Sequence, residues 1–345
     1  MPIEEVPMGL FENAALRRTL GGTAALVLVG ALAGCGGGNG PGTTPEPVAD
    51  NQLRNDLALG LSADEAADLD MTDDQVREVQ HRRVRVLFYR FQDLPPLGPD
   101  ATYEGWVIVD GEPISTGTFR IGRHGRARPS FALVPRALAE EATAFVVTIE
   151  PVPDPDPGPS GTAILAGDLD ERRNPLTVDH ERALGDDFCG AEGPFILATP
   201  STAIMEDEQQ GIWWTVNMTP TLVLPDLPDG WRFEGWVVVD GEPLTTGKFD
   251  DPEGADDDGA GPTAGPLPGP PFPGQDFIDP PIHLVGQMAV ITIEPEPDFS
   301  PEPFPVRILI NESIGDEIAP ALHPMENLCE DLPSGTVRLL GRRHR

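Results

Sequence analysis

Basic charge is scarce in this sequence. It contains 23 Lys and Arg residues against 57 Asp and Glu residues, so the formal net charge is −34 at pH 7. Lys248 is the only lysine in the sequence. A surface this acidic repels the phosphate backbone of DNA and RNA, and we therefore expect no nucleic-acid partner.

Recognisable catalytic and metal-binding motifs are also missing. The six histidines do not occur in an H-x-x-x-H spacing, and there is no Gly-x-Ser-x-Gly nucleophile motif. Three cysteines are too few and too widely spaced for a cysteine-ligated zinc site. The sequence therefore predicts a protein that is not an enzyme and that binds neither a cofactor nor a metal ion.

The longest N-terminal apolar run is short. Residues 20–33 form an apolar stretch of about 14 residues, whereas a membrane-spanning helix needs about 20. Arg17 and Arg18 precede the run, and Leu-Ala-Gly-Cys ends it at Cys35, a pattern that is typical of a secretory signal and resembles the lipobox of bacterial lipoproteins. This predicts cleavage before Cys35 and acylation of Cys35, which would anchor the protein to a membrane outside the cytoplasm. The alternative is an ordinary signal peptide with an incidental cysteine.

Two cysteines remain after the proposed anchor. Outside the cytoplasm, an even pair such as Cys189 and Cys329 is reasonably interpreted as a disulfide. The alternative is two free, buried thiols.

One ten-residue phrase occurs twice, at Glu104–Pro113 and Glu234–Pro243. Over residues 103–119 and 233–249, twelve of the seventeen positions are identical, which predicts one structural unit used twice. We interpret the phrase as a covered strand that runs into an Asp-Gly hairpin turn. An alternative is a repeated carboxylate site for a cation, involving Glu104 and Glu234. The repeated positions that we assign a structural role are Trp106, Asp110, Gly111, Pro113, Trp236, Asp240, Gly241 and Pro243.

Short β-type segments separated by Gly- and Pro-rich turns predict an all-β fold with two tandem β-sandwich repeats of immunoglobulin-like type, short N-terminal helices and long Gly/Pro loops. Phe195–Thr199 and Gly211–Val216 should form an extra hairpin, in which one of the adjacent Trp213 and Trp214 can be exposed. The expected organisation is a signal peptide (1–34), a tether with short helices (35–82), repeat 1 (83–170), a linker (171–192), repeat 2 (193–330) with a Gly/Pro/Asp insert (250–281), and a tail (331–345).

The segment YEGWVIVDGEPISTGTF, followed by AFVVTIEPVPDPDPGPSGTAILAG, resembles the C-terminal extracytoplasmic domain of anti-sigma-K factors. In copy two the closing Ala-Gly is absent, since Leu309-Ile310 stand there. The resemblance covers most of residues 84–168 and 211–311. The matching residues are Trp106, Gly111, Pro113, Thr148, Glu150, Pro151, Ile164 and Gly167 in copy one, and Trp236, Gly241, Pro243, Thr292, Glu294 and Pro295 in copy two.

The resemblance implies a sensor-type domain without catalytic residues. Family members that regulate transcription carry a sigma-binding domain and a membrane helix before this domain, whereas only 34 residues precede Cys35. We therefore expect a lipid-anchored envelope interaction or sensory module, in the periplasm at a membrane or on the cell surface, with an envelope protein or polysaccharide as partner and no direct sigma-factor contact. The alternatives are a calcium- or carbohydrate-binding adhesin, a hydrolase with a cryptic site, and a true anti-sigma factor.

Overall fold

The computed structural model describes residues 84–122 and 124–340. The predicted signal peptide, tether and N-terminal helices lie outside these residues. Within them, β-strands dominate, with one short α-helix and two 3-10 turns, so the all-β prediction is confirmed. No helix in this part of the chain is both long and apolar enough to cross a membrane.

The first half of the described chain carries eight strands and the α-helix. They are β1 (Val84–Gln92), β2 (Ala101–Val109), β3 (Glu112–Ile121), β4 (Ala127–Arg128), β5 (Phe131–Pro135), α1 (Arg136–Glu141), β6 (Ala144–Pro151), β7 (Ala163–Asp168) and β8 (Asn174–Leu176).

The second half carries the remaining strands and two 3-10 turns, at Met205–Gln210 and Cys329–Asp331. The strands are β9 (Ile196–Leu197), β10 (Gly211–Trp213), β11 (Thr215–Val216), β12 (Thr219–Pro220), β13 (Trp231–Val239), β14 (Glu242–Phe249), β15 (Gly274–Asp276), β16 (Met288–Pro295), β17 (Arg307–Asn311), β18 (Glu326–Asn327) and β19 (Ser334–Leu339).

The sequence repeat corresponds to a repeated sheet. One five-stranded sheet has the order β4-β3-β2-β6-β7, and the other has the order β14-β13-β16-β17-β18. The central antiparallel hairpins, β2-β3 and β13-β14, each turn at an Asp-Gly pair in which both residues have positive φ. Positive φ at both central positions is what a type I′ turn requires, and it explains why Asp-Gly recurs there.

Each repeated sheet has a second sheet against one face. Tyr89 of β1 contacts the rings of Phe119 and Phe145, at centroid distances of 5.0 and 5.9 Å, which brings the sheet β5-β1-β19-β8 onto the first repeat. Strand β10 belongs to the sheet β15-β10-β9. Trp214, the residue directly after β10, packs over Gly235 of β13. A Cβ at Gly235 would lie 3.0 Å from the Trp214 ring, so the glycine makes room for the indole.

The segment predicted as a C-terminal tail, residues 331–345, contains a strand. β19 lies in this segment and pairs antiparallel with β1 over six residue pairs, and also with β8. The predicted linker likewise contains β8, together with the buried Leu184 and Phe188. The sheet β5-β1-β19-β8, which packs on the sheet of repeat 1, is therefore completed by residues 334–339, and the two repeats are not successive independent sandwiches.

Both members of the adjacent tryptophan pair are buried, against the expectation that one is exposed. The Trp213 indole N–H donates to Asp276 of the Gly/Pro/Asp insert at 2.7 Å, and Gly269 of the same insert approaches its ring. The Trp214 side chain faces the core instead. The insert shows no core-forming periodicity in the sequence, yet it covers the Trp213 side chain with Gly269, Gly274 and the buried Asp276.

Candidate functional site

A chain of buried polar groups occupies the same place in both repeats. In repeat 1 the Trp106 indole N–H donates to Thr148 Oγ1 at 2.8 Å, and the Thr148 hydroxyl donates to Glu150. Thr148 and Glu150 are two residues apart on β6, so their side chains lie on the same face of the sheet. Glu150 in turn accepts the backbone N–H of Ser160 at 3.0 Å, which ties the Pro-rich loop to the end of the strand.

Repeat 2 reproduces this arrangement with a different loop residue. The Trp236 indole N–H donates to Thr292 Oγ1 at 2.9 Å, and the Thr292 hydroxyl donates to Glu294. The backbone N–H of Phe304 donates to both oxygens of Glu294, at 2.8 and 3.1 Å. The side chain of Glu294 therefore connects β16 with the far end of the loop that follows it.

A second glutamate stands beside each chain, on the neighbouring strand. Glu104 lies directly opposite Thr148, and Glu234 lies directly opposite Thr292. The side-chain hydroxyl of Thr245 donates to Glu234 Oε1 at 2.6 Å. Glu234 is only 4% exposed, and within the described part of the chain no donor makes a hydrogen bond to its buried Oε2 atom.

Repeat 2 adds two further charges. Lys248, which pairs with Glu234 across the hairpin, places its Nζ 2.7 Å from Asp298 Oδ2 and 3.7 Å from Glu234 Oε2. One oxygen each of Glu234, Glu294 and Asp298 lie within 4.8 Å of one another. We call Glu234, Glu294, Asp298 and Lys248 the acid cluster.

The acid cluster is specific to repeat 2. In repeat 1 the position of Lys248 is held by Thr118, which pairs with Glu104 in the same register. Among the described residues, the counterparts Glu104, Glu150 and Asp154 do not approach one another as a comparable group.

Burial has the largest single effect on the pKa values of Glu234, Glu294 and Lys248. It raises the pKa of Glu294 to about 8, against the opposing effect of the hydrogen bonds from Thr292 and Phe304. Burial also raises the pKa of Glu234, although the Thr245 hydrogen bond and the charge of Lys248 act in the opposite direction. Burial tends to lower the pKa of Lys248, but its hydrogen bond to Asp298 and the nearby carboxylates outweigh that effect and the pKa is raised. At neutral pH the arrangement is therefore suited to holding a proton on Glu294 next to a charged ammonium group.

The insert contains a separate buried carboxyl group. Burial raises the pKa of Asp256 to about 7, and the backbone N–H of Gly274 donates to its Oδ2 at 2.9 Å. Gly247 approaches this side chain so closely that a Cβ there would lie 2.5 Å from the Asp256 carboxyl carbon. Asp256 thus packs against Gly247 of β14 and connects the start of the insert with β15 near its end.

The repeated residues singled out in the sequence divide between two places. Trp106 and Trp236 are buried and start the polar chains just described. The turn residues stand at the opposite end of each hairpin, away from the glutamates. They are Asp110, Gly111, Asp240 and Gly241, all exposed, with Pro113 and Pro243 at the start of the returning strands.

The three cysteines fall into two groups. Cys189 and Cys329 are bonded to each other across a sequence separation of 140 residues. Asn327, next to this bridge, donates to the backbone carbonyls of Phe188 and Ala191, both at 2.8 Å. Cys35 lies outside the described residues.

Sequence reasoning identified Thr148, Glu150, Thr292 and Glu294 as marks of the resemblance but not as members of a site. Their signal was present, since Thr-Ile-Glu-Pro occurs in both copies, 42 residues after Trp106 and 56 residues after Trp236. Lys248 was also visible as the one lysine among 23 basic residues. The contribution of Asp298 comes from the path of a Pro-rich loop, which the local sequence does not specify.

Comparison with known proteins finds a family match for the part of the chain that contains most of repeat 1. Residues 20–163 match the family model described as anti-sigma-K factor rskA, C-terminal. The match covers less than half of the chain and includes β1 to β6 of the described strands. It confirms the expected resemblance for one copy, while the relation of repeat 2 to this domain rests on the internal repeat. No curated protein and no solved structure matches the chain.

Proposed function

We propose that this chain is a non-catalytic, lipid-anchored module of the cell envelope that acts outside the cytoplasm in interaction or sensing. The observation that carries the proposal is the match of residues 20–163 to the C-terminal domain of anti-sigma-K factors. Membrane attachment would occur through Cys35, and the partner would be an envelope protein or polysaccharide. Direct binding to a sigma factor or to nucleic acid is not part of the proposal, the latter because of the net charge of −34.

The hydrogen bonds of the repeated acidic residues support a structural role for them and not a catalytic one. Glu150 and Glu294 receive donors from their own strands and from the backbone of the Pro-rich loops. Groups that are committed to holding a loop in place are less suited to transferring protons to a substrate. The recurrence of this arrangement in both copies is consistent with a requirement of the fold.

Photo-crosslinking in intact cells tests the interaction role. A photoreactive amino acid can replace exposed apolar side chains one at a time, beginning with Met218, which is 63% exposed. The positions to be scanned are Val152, Ile204, Met218, Val223, Leu267, Val285, Ile318 and Leu322. We expect one discrete adduct at a subset of these positions, and its loss in a Cys35→Ser background that releases the protein from the membrane. Absence of adducts at every position, or adducts that are unchanged by Cys35→Ser, would contradict the proposal.

The competing functions predict different results. A calcium-dependent adhesin would be stabilised against heat by calcium and would lose that stabilisation on chelation, because a ligand that binds only the folded state raises its stability. A true anti-sigma factor would give adducts with a cytoplasmic protein. A hydrolase would require a reactive group that responds to an active-site probe.

A further inference from the structure

We propose that Glu234 and Glu294 share one proton and form a pH-responsive latch that holds loop 296–306 against the sheet of repeat 2. The latch extends the proposed sensory role by naming a stimulus, the proton concentration outside the cytoplasm. Its biological meaning rests on that proposed function, but the test below is made on the purified full chain and does not depend on membrane attachment.

Glu294 lies between two elements, strand β16 and the end of the loop that follows it. Its carboxyl group receives the Thr292 hydroxyl from β16 and the backbone N–H of Phe304 from the end of the loop. The start of the loop is held separately, by the N–H of Glu296 donating to the carbonyl of Gly230 at 2.8 Å. The far end of the loop is held by the Val306 carbonyl, which accepts the Ile293 N–H at 3.0 Å, and the Phe304 ring contacts Trp231. Loss of the contact to Glu294 therefore loosens the loop around Phe304, while its two ends stay attached.

Glu234 has a carboxylate oxygen that lacks a hydrogen-bond donor. Within the described residues, Oε2 of this glutamate is buried and receives no hydrogen bond. An oxygen of Glu294 lies within 4.8 Å of an oxygen of Glu234. Two carboxylates this close disfavour simultaneous ionisation, and one proton bound to the pair relieves the repulsion.

The charges around this pair come from every neighbouring element. Lys248 on β14 contributes a positive charge, and Asp298 in the loop contributes a negative charge. Asp257 of the insert adds a weaker negative influence on Glu234, while Arg232 of β13 is directed to Asp250 and Asp257. Since the Lys248 ammonium group already lies between two of the carboxylates, it takes the place that a bound cation would need.

The direction of the response follows from linkage. In the closed loop, burial raises the pKa of Glu294 to about 8, whereas an open loop exposes the group to water and returns its pKa towards the ordinary value of about 4.3. The closed form therefore binds the proton more tightly, and opening releases it. Between these two pKa values the opening equilibrium constant should rise about 10-fold for each unit of increasing pH.

The experiment follows the tryptophan indoles and the Phe304 amide by NMR, with the full chain labelled with ¹⁵N. Because Trp236 donates to Thr292 and Thr292 donates to Glu294, the Trp236 indole signal should titrate with a midpoint near pH 8. Hydrogen exchange of the Phe304 amide, after correction for the intrinsic rate, should show the 10-fold dependence of opening on pH. Both effects should disappear in Glu294→Gln, which keeps the size of the side chain and an acceptor.

Matched variants keep the test decisive. Glu150→Gln alters the corresponding position of repeat 1 and should leave the Trp236 titration unchanged. Glu234→Gln removes the neighbouring negative charge and should move the midpoint to lower pH, which supplies an answer if Glu294→Gln does not fold. A Trp236 signal that is flat between about pH 5 and about pH 10 would overturn the proposal. So would a titration that persists in Glu294→Gln, or calcium-induced shifts that replace the response to protons.

Discussion

At the scale of single residues, buried polar chains define the repeated unit. The indole of Trp236, the hydroxyl of Thr292 and the carboxyl of Glu294 are each satisfied by the next group in the chain. Buried polar groups are costly when they lose a partner, because the remaining group keeps its desolvation penalty. The threonine is the link that serves both neighbours, and its replacement should therefore be more damaging than its small size suggests.

Thr292→Val should lower the free energy of unfolding by about 1–3 kcal/mol. Valine fills the same volume but leaves the Trp236 indole N–H without its acceptor and removes one of the donors to Glu294 Oε1. Urea denaturation followed by circular dichroism measures the difference. Thr292→Ser retains the hydroxyl and is the control. Equal stability of the valine variant and the wild-type chain would show that the polar chain does not contribute.

The free energy of unfolding should depend on pH because Glu294 titrates differently in the folded and unfolded chain. Its pKa is raised in the folded state, so the folded chain holds a proton that the unfolded chain loses between about pH 4.3 and pH 8. The free energy of unfolding should therefore fall with rising pH in this range, with a contribution of about 1.4 kcal/mol per pH unit from this group, and level off above it. Asp256, with a pKa raised to about 7, acts in the same direction.

Urea denaturation at several pH values checks this slope. Glu294→Gln should remove the contribution of Glu294 and leave that of Asp256, while Asp256→Asn should do the converse. A wild-type slope that neither variant reduces would contradict the assigned protonation.

At the scale of elements, β19 is a core strand that the sequence did not predict. β19 inserts between β1 and β8 and completes the sheet that covers repeat 1. Val337 and Leu339 belong to the core cluster, and Arg338 between them is also buried, whereas Thr336 before them is only partly buried. The sequence alternates apolar and polar residues only over Val337–Leu339, which is too short to distinguish a core strand from an apolar stretch in a tail.

Val337→Asp should destabilise the whole chain by about 3–5 kcal/mol, because it buries an unpaired charge in the shared core. Thr336→Asp, one residue earlier on the same strand, should cost less than about 1 kcal/mol. Thermal unfolding of the two variants provides the comparison. If both substitutions cost the same small amount, β19 does not form part of the core sheet.

Much of the β-structure can be predicted from sequence, and the exceptions have physical reasons. β1, β2, β6, β13 and β16 are long, branched and aromatic, and the Asp-Gly turns locate their hairpins. The burial of Trp213 could not be predicted, because the insert that covers it packs through glycines and Asp276 and not through an apolar pattern. The acid cluster could not be predicted either, since Asp298 reaches Lys248 only through the path of a Pro-rich loop.

At the scale of the whole molecule, the two repeats lie in one compact unit. Two connections join distant parts of the chain: the pairing of β1 with β19, and the bond between Cys189 and Cys329. The core accordingly contains buried side chains from both repeats in a single cluster. We therefore expect one cooperative unfolding transition rather than two.

Cys189→Ser combined with Cys329→Ser should lower stability by about 2–5 kcal/mol, because the bridge closes a loop of 140 residues and restricts the unfolded chain. The transition should remain single, since β19 still joins the two halves. Differential scanning calorimetry measures both quantities. Two separated transitions in the variant would contradict a shared core, and an unchanged midpoint would indicate that the bridge is not formed in the native protein.

The central claim is that this acidic, β-rich body is held outside the cytoplasm by lipid on Cys35. Metabolic labelling with radioactive palmitate, followed by membrane fractionation of wild-type and Cys35→Ser cells, tests it most directly. The account predicts a labelled wild-type protein in the membrane fraction, processing that globomycin blocks, and an unlabelled variant released from the membrane. A Cys35→Ser protein that stays in the membrane fraction, or a wild-type protein without label, would contradict it.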